Sequence, residues 1–494
     1  MMRKNLCTDP WIPVSLADGG TALLGLEGLF ARLGEIRDLV LSPRERIAVM
    51  RLLICITQRA LDGPEDADAR EECRGEIIPE SLAYLQRWRE AFDMTGENGA
   101  FLQVPGLQGR EIQSVSKLDM TLASGNNSTL FDNAGGSRRR IDFSRVTLSL
   151  LSFQNFSPGS TIGVAEWAGN PTAPKAPDSC KGGPCVAGSA LHLFLVGKNL
   201  LETLWMNLVP KDSIPKSLTF GKPVWEQMPG SMRDKPAIDN ATLTYLGRLV
   251  PVSRSIRLLG TELEEMILAR GLTYPDEGDH QSILYYESTT RRKRGKDGRI
   301  SLVRTSLGRA LWRSLPAMLR SFQEENSSEG SPYDNDCLPE CFDIWVGALV
   351  VDKANIMGEI ESRFPHVPPD IFSEATTVKL KDSLIKADQG DKRLYKAICH
   401  YHELMGEPLE QAQKKAQREL VINRAMEIYW GQLSSFQNLF LATAMEQSEE
   451  ADKKWRTLIN RWCRAAYDIM CPHTTDRQLE AWARGWKTYS KSLI

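Results

Sequence analysis

The sequence predicts an α+β protein: a mixed α/β N-terminal domain over residues 1–367, then a C-terminal helical bundle over 368–494. Three observations carry this. Short runs rich in β-branched and aromatic residues alternate with helical patterns as far as His366-Val367-Pro368-Pro369. Beyond that point residues recur at 3.6 spacing, as in Lys392, Leu394, Ala397, Ile398, Tyr401 and Leu404, and again in Leu420, Ile422, Ala425, Ile428, Tyr429 and Leu433. A chain of 494 residues is also long enough for two or three domains, each with its own core.

Composition bounds the class. Hydrophobic residues make up 42% and charged residues 25%, the balance of a soluble globular chain. No run of 18 apolar residues occurs, so no membrane span is expected. The start, MMRKNLCTDPWIPV, lacks the apolar segment of a secretory signal. Ten cysteines are scattered; Cys337 and Cys341 are four apart, Cys463 and Cys471 eight apart, and neither pair has zinc-site spacing. A cytoplasmic protein with reduced thiols, no metal and no cofactor is the expectation. The formal net charge is −2, so any contact with nucleic acid has to come from local basic patches.

In chain order, Trp11-Ile12-Pro13-Val14 reads as a short buried strand and Asp18-Gly19-Gly20 as a hairpin turn. Ser42-Pro43-Arg44-Glu45 is a helix start. Ser42 can cap, proline suits the first helical position because its missing N–H is not needed there, and Glu45 completes a capping box. That helix is predicted to run to about Leu61, and a second to begin near Pro79. Residues 99–120 alternate loosely, and 146–150 (VTLSL) fit strand and helix equally well. Residues 168–185, rich in Pro and Gly, read as an exposed excursion. A strand is predicted over 189–196, a helix over 199–209, an irregular proline-bearing stretch over 210–240 and a strand-like piece over 241–257. A hairpin with strands at 282–288 and 299–305 puts Arg291, Arg292, Lys293 and Arg294 in its turn. Then come a short helix over 307–322, a polar loop over 323–336, and a strand pair over 342–357 with a tight turn at Asp352-Lys353. The C-terminal part reads as helices at about 375–388, 391–404, 408–447, 451–470 and 476–490, the last started by a capping box from Thr475 and Gln478.

The stretch 122–163 concentrates candidate binding chemistry. Its first loop carries Gly125, Asn126, Asn127, Leu130, Phe131, Asp132 and Asn133, and Arg138, Arg139 and Arg140 follow at once; its end reads SFQNFSPGSTIG. Small residues let a backbone come close to a ligand. Asparagine offers donor and acceptor together, and arginines pair with phosphates. Composition leaves two readings open, a nucleic-acid-reading loop and an ordinary long surface loop. The basic run 291–299 is open in the same way, between a phosphate contact and a solvated hairpin turn.

Familiar catalytic patterns are missing. The sequence has no GxxxxGK[ST] phosphate loop, no HExxH and no GxSxG. His400 and His402 lie two apart, on different faces of a helix. Trp455, Trp462, Trp482 and Trp486 sit at helical spacing and read as bundle core. These absences favour a binding or scaffold protein over an enzyme. The competing classes are a stand-alone metal-dependent nuclease or hydrolase with an unfamiliar carboxylate or histidine site, and a protein–protein scaffold without DNA contact.

DPWIPV near residue 10, the segment LSPRERIAVMRLLICITQ (41–58) and the two-domain plan resemble the large subunit of the type I-E CRISPR Cascade complex, the CasA family. The similarity extends over essentially the whole chain and is strongest at the N-terminus and over residues 117–208. The resemblance implies a C-terminal four-helix bundle. It also implies a non-catalytic subunit of an RNA-guided surveillance complex, one that recognises the protospacer-adjacent motif (PAM) in double-stranded DNA, promotes duplex opening and R-loop formation, and helps to recruit a helicase-nuclease in antiviral defence. The implied partners are the guide-RNA-containing complex, with its backbone, small helical and 5′-handle-binding subunits, the double-stranded target, and the helicase-nuclease. Guide pairing would read most of the target, and the protein only the short motif.

Carried over by position, the family's guide- and partner-contacting loop falls on 126–133, with Asn126, Asn127, Leu130, Phe131 and Asn133 as its contacts. The family's glycine loop in the minor groove of the motif falls on 158–163, where Gly159 and Gly163 flank Ser160, Thr161 and Ile162, so side chains stand where bare backbone is the family pattern. The wedge hairpin that parts the strands falls on 350–355, with Asp352, Lys353 and Asn355 at its polar tip. The family's basic minor-groove finger would fall near Glu264 and Glu265, which leaves Arg254 or Arg257 to substitute. Arg138, Arg139, Arg140, Arg291, Arg292, Lys293 and Arg294, with bundle lysines such as Lys414 and Lys415, would hold DNA through phosphates.

Overall fold

The computed structural model describes residues 4–96, 100–109, 111–122, 141–157, 164–172, 185–214, 218–274, 287–294, 300–319, 338–352, 355–406, 412–446 and 448–490, with the backbone alone at 294, 300 and 412–418. Two compact units result, Met1–Leu307 with Ser321–Pro369 and Gly308–Arg320 with Asp370–Ile494. Among the described residues, no helix is long and apolar enough to cross a membrane.

In the first unit, Ile12–Leu16 (β1) pairs antiparallel with both Thr21–Leu24 (β2) and Ile36–Leu39 (β3). The β1–β2 turn lies at Asp18-Gly19-Gly20, as expected. Gly19 takes a left-handed φ of +88°, and the Asp18 carboxylate accepts from the Gly20 amide at 2.8 Å. Leu26–Ala31 (α1) precedes β3. Pro43–Ala60 (α2) begins at the predicted cap, where the Glu45 carboxylate accepts from the Ser42 amide at 3.2 Å. Nearly every residue of α2 is buried, so it runs through the core rather than along its edge. Ala67–Glu72 (α3) and Ile77–Arg87 (α4) follow, then the short strands Gln108–Gly109 (β4) and Gln113–Ser114 (β5).

Phe143–Phe156 (α5) settles the ambiguity over 146–150 in favour of helix. Asp142 caps it by accepting from the Arg145 amide at 2.9 Å, and every residue from Val146 to Phe156 is buried. A helix enclosed on all sides has no polar face, which is why periodicity could not identify it. Ala165–Trp167 (β6) and Asn170–Pro171 (β7) complete a sheet of order β4-β6-β7. The predicted strand and helix after 189 are His192–Val196 (β8) and Leu200–Met206 (α6), the latter capped by Asn199, which accepts from the Glu202 amide at 2.9 Å.

The stretch 241–257 corrects the strand reading. It contains the end of Lys235–Leu243 (α7), then Tyr245–Leu249 (α8), and only from Arg254–Leu259 (β9) is it strand. Thr244 caps α8 by accepting from the Gly247 amide at 3.1 Å, a local device hidden within a β-branched run. Glu265–Arg270 (β10) lies between β5 and β9. The basic hairpin is also different from expectation. Arg292–Arg294 (β11) pairs with Ile300–Leu302 (β12), so the arginines form a strand instead of a turn. The preceding residues are already held at the edge of β8, where Leu193 N donates to Thr289 O at 2.8 Å. Phe342–Asp352 (β13) and Asn355–Val367 (β14) are the expected strand pair, in a sheet of order β14-β13-β8.

The second unit is helical. Its helix over 307–322 is shorter than predicted, a 3-10 turn at Leu311–Ser314 followed by Leu315–Leu319 (α9). The two helices expected over 375–404 are one, Glu374–Leu404 (α10). Gly390 does not break it. A Cβ there would lie 2.6 Å from Tyr429 Oη and 2.7 Å from Ile459 Cγ2, so glycine is required by close packing. The single helix expected over 408–447 is instead Ala412–Ser434 (α11) and Gln437–Met445 (α12). Glu449–Met470 (α13) and Asp476–Ser490 (α14) match their predictions, with Thr475 and Gln478 exchanging the hydrogen bonds of the capping box. Among the described residues, the unit holds the long helices α10, α11, α13 and α14 with the shorter α9 and α12. Trp455 is buried among them as expected, whereas Trp462, Trp482 and Trp486 are only partly covered.

Candidate nucleic-acid interface

Helix α5 carries the two ends of the stretch that the sequence singled out. Residues 123–140 precede its cap, and 158–163 follow its last turn. Fourteen residues at 1.5 Å each separate the two points by about 20 Å. The candidate contacts Asn126, Asn127, Leu130, Phe131, Asn133, Arg138, Arg139, Arg140, Gly159, Ser160, Thr161 and Gly163 lie outside the described residues, as does Lys353. What the structure shows is how the chain is held on either side of them.

Ahead of α5, Asp119 and Arg145 meet. Arg145 Nε and Nη2 donate to Asp119 Oδ2 at 3.0 and 2.7 Å, and Arg145 Nη1 donates to Glu45 Oε1 at 2.7 Å. Burial pushes the Asp119 carboxyl upward, but hydrogen bonds from Thr121 and the Arg145 charge outweigh it and hold the group below the usual aspartate range. Arg44, only 3% exposed, joins the same group, with Nη2 3.4 Å from Glu45 and 3.8 Å from Asp119. Its Nη1 pairs with Glu359 of β14, and its backbone amide donates to Glu359 Oε2 at 3.2 Å. Three carboxylates thus surround two guanidinium groups at the N-terminus of α2, where the helix dipole also favours negative charge. The capping box at 42–45 was visible in the sequence; its distant partners Asp119, Arg145 and Glu359 carried no local signal.

Beyond the other end of α5, Gln154 and Arg254 fasten the exit. Gln154 Oε1 accepts from the Arg254 amide at 2.9 Å, and Arg254 Nε donates to Ser157 Oγ at 3.1 Å. Arg254 is 2% exposed, and burial beside Arg270 pulls its guanidinium down to about 10. This corrects its reading as a groove finger. A finger has to project into solvent, whereas Arg254 supports the chain just before 158–163. Arg257 is partly exposed and donates to Leu107 O at 3.2 Å.

The hairpin is the third component. Asp352 faces Asn355 across residues 353–354, and both flanking side chains are exposed. The β8 partner strand stops at Gly347, so the outer part of β13 extends past it. There Ser189 takes over. Its amide donates to Leu349 O at 2.9 Å, and its hydroxyl donates to Val351 O at 3.1 Å and accepts from Val351 N at 3.0 Å. A bulge interrupts the register between Val350 and Val351.

Just before the basic strand, the reading of Arg291 as a phosphate contact is corrected. Arg291 is 9% exposed and donates to the carbonyls of Ser288 and Thr290 at 3.2 and 2.8 Å. Arg292 is partly exposed and Lys293 exposed; of Arg294 only the backbone is described.

Comparison with known proteins agrees with this architecture. A family model described as CRISPR-associated protein Cse1 matches residues 5–469. A curated relative from Thermus thermophilus, CRISPR-associated protein CasA/Cse1, is 31% identical over 334 residues, which is 64% of this chain and 60% of that relative's length. Among solved structures, a crystal structure of CasA from Thermus thermophilus has a TM-score of 0.77 at 20% identity, covering 99% of both chains. A chain of a CRISPR RNA-guided surveillance complex has a TM-score of 0.74 at 18% identity, covering 99% of this chain and 100% of that one. At these identities the structural matches speak for the fold.

Proposed function

Because the chain belongs to the CRISPR-associated Cse1 (CasA) family of type I-E Cascade large subunits, we propose that it recognises the protospacer-adjacent motif in double-stranded DNA and starts its opening. In this reading it makes and breaks no bonds itself. It works within a complex of guide RNA, backbone, small helical and 5′-handle-binding subunits, promotes R-loop formation, and helps to recruit a helicase-nuclease. The observation that supports it best is the exposed polar end of the β13–β14 hairpin, which extends past its neighbouring strand. A wedge has to project, and it has to offer polar or stacking replacement for the base pair it displaces, a cost of a few kcal/mol per step.

The roles then divide. The loop at 126–133 (Asn126, Asn127, Leu130, Phe131, Asn133) faces guide and partner subunits. The loop at 158–163 (Gly159, Ser160, Thr161, Gly163) lies in the minor groove, whose A·T-versus-G·C code is degenerate. Lys353 and Asn355, next to Asp352, begin strand separation. Arg257 takes the place of the basic finger. Arg138, Arg139, Arg140, Arg292, Lys293 and Arg294 hold phosphates, and neutralising any one of them should lower the salt dependence of binding by roughly one ion.

The test is a reconstituted complex carrying Lys353→Ala and Asn355→Ala. Assembly with guide should proceed normally, while permanganate reactivity of thymines beside the motif, a measure of opening, should develop more slowly. Wild-type opening, or equal loss of assembly and opening, would reject the hairpin as the wedge.

A further inference from the structure

We propose that Glu359 is the positioning residue of the strand-separating hairpin, fixing its reach and direction from the N-terminus of α2. The proposal rests on the reading of 350–355 as the wedge.

The argument begins with how the hairpin is supported. β13 is flanked by β8 only through Gly347, so its outer end needs another anchor. Ser189 provides it on the β13 side, at Leu349 O. In the register of the pair, Leu349 lies directly opposite Glu359. Glu359 reaches away from the hairpin to the Arg44 guanidinium and the Arg44 amide. Ser189 thus holds β13 at Leu349 and again, across the bulge, at Val351, whereas β14 is held at the Leu349 level by Glu359.

The bulge lies immediately outside that level. It falls between Val350 and Val351, opposite Gly358, whose φ is +156°. A bulge bends and twists a strand pair and so re-aims what lies beyond it. Such a bend sets a direction only if its near side is fixed. From Glu359 to Asn355 the chain advances four residues, about 13 Å at the usual rise, so a small rotation at the pin becomes a displacement of several ångströms at the tip.

Glu359 also has features suited to holding a position. Its side chain is 17% exposed, and it accepts charge-assisted hydrogen bonds from two groups of one residue, which fixes orientation as well as distance. Arg44 is itself held by Glu45 and approaches Asp119. Asp119 and Arg145 bring together the two sides of the 123–140 segment. The hairpin and the segment that faces guide and partners are thereby referred to the same few residues at the start of α2.

The experiment uses complexes assembled with guide and carrying Glu359→Ala or Glu359→Gln, with Lys353→Ala/Asn355→Ala as reference. Opening is followed on a fully paired target and on one already mismatched beside the motif. Glu359→Ala removes both hydrogen bonds to Arg44 and should slow opening of the paired target at least roughly tenfold, the effect of losing one charge-assisted hydrogen bond alone. It should bind the pre-opened target as wild type does. Glu359→Gln keeps the size and an acceptor for the Arg44 amide, and should recover part of the rate. Wild-type opening by Glu359→Ala while the reference variant is impaired would overturn the positioning role and leave the wedge intact. Equal impairment on both targets would reduce Glu359 to a general structural residue and also overturn it. Wild-type opening by the reference variant would remove the wedge reading, and this proposal with it.

Discussion

Arg145 and Asp119, 26 positions apart, are joined by two hydrogen bonds of 3.0 and 2.7 Å through a single carboxylate oxygen. That contact links, at one place, the described residues that lie on either side of 123–140.

Removing it should be measurable. Asp119→Asn leaves the Arg145 and Arg44 charges less well matched and should cost about 1–2 kcal/mol, taking charged hydrogen bonds at the low end because Arg145 is 34% exposed. The Asp119 carboxyl is held below its ordinary value of 3.8, so its contribution is fully present above that pH and is lost only as pH falls through the lower folded value. Urea unfolding should therefore show a constant deficit for the variant across neutral pH, shrinking in strong acid.

His192 should make stability depend on pH near 6.5. It is fully buried, its Nδ1 lies 2.8 Å from Thr289 Oγ1, and Phe156 packs edge-on against it at 6.1 Å. Burial, then the nearby Arg51 charge, holds it well below its usual 6.5. Below that pH the unfolded chain takes up a proton that the folded chain refuses. Stability should fall with decreasing pH, at up to about 1.4 kcal/mol per unit. His192→Asn, which can keep the contact to Thr289, should flatten the profile between pH 5 and 7.

Trp312 should be essential to the helical unit although it lies more than 50 residues before that unit's main segment, which starts at Asp370. The ring is 1% exposed, packs against Phe440, Trp455 and Trp430 at 4.8, 5.8 and 5.9 Å, and donates from Nε1 to Ser434 Oγ at 3.1 Å. Trp312→Ala should cost about 3–5 kcal/mol and lower the melting temperature of that unit, with Trp312→Phe recovering much of it.

Two glycines should respond to alanine with opposite signs. At Gly485 a Cβ would lie 2.1 Å from Tyr467 Oη and 2.9 Å from Ala397 O. Overpacking there, about 1–3 kcal/mol, outweighs the gain of about 1 kcal/mol in helix propensity. Gly431 has nothing within 4 Å, so Gly431→Ala should raise stability by up to about 1 kcal/mol. Thermal melts of the two variants test both.

The sequence by itself determined whatever depends on neighbours in the chain. The start of α2 at Pro43, the β1–β2 turn, the strand pair beginning at Phe342, and the starts of α13 and α14 were all legible, because capping, turn and period signals act over a few residues. The family and the mixed fold followed from motifs of the same local kind. Tertiary structure decided the rest. It made one helix of 374–404 because Gly390 packs against Tyr429 and Ile459, and it placed Trp312 in a core built mainly from residues beyond 370. It buried Arg254, a candidate groove finger by its position, and Arg291, a candidate phosphate contact by its residue type. It also gave Arg44 a partner 315 positions away. A charged side chain has the same local signature whether it meets solvent, a phosphate or a distant carboxylate, and only the packed chain distinguishes them.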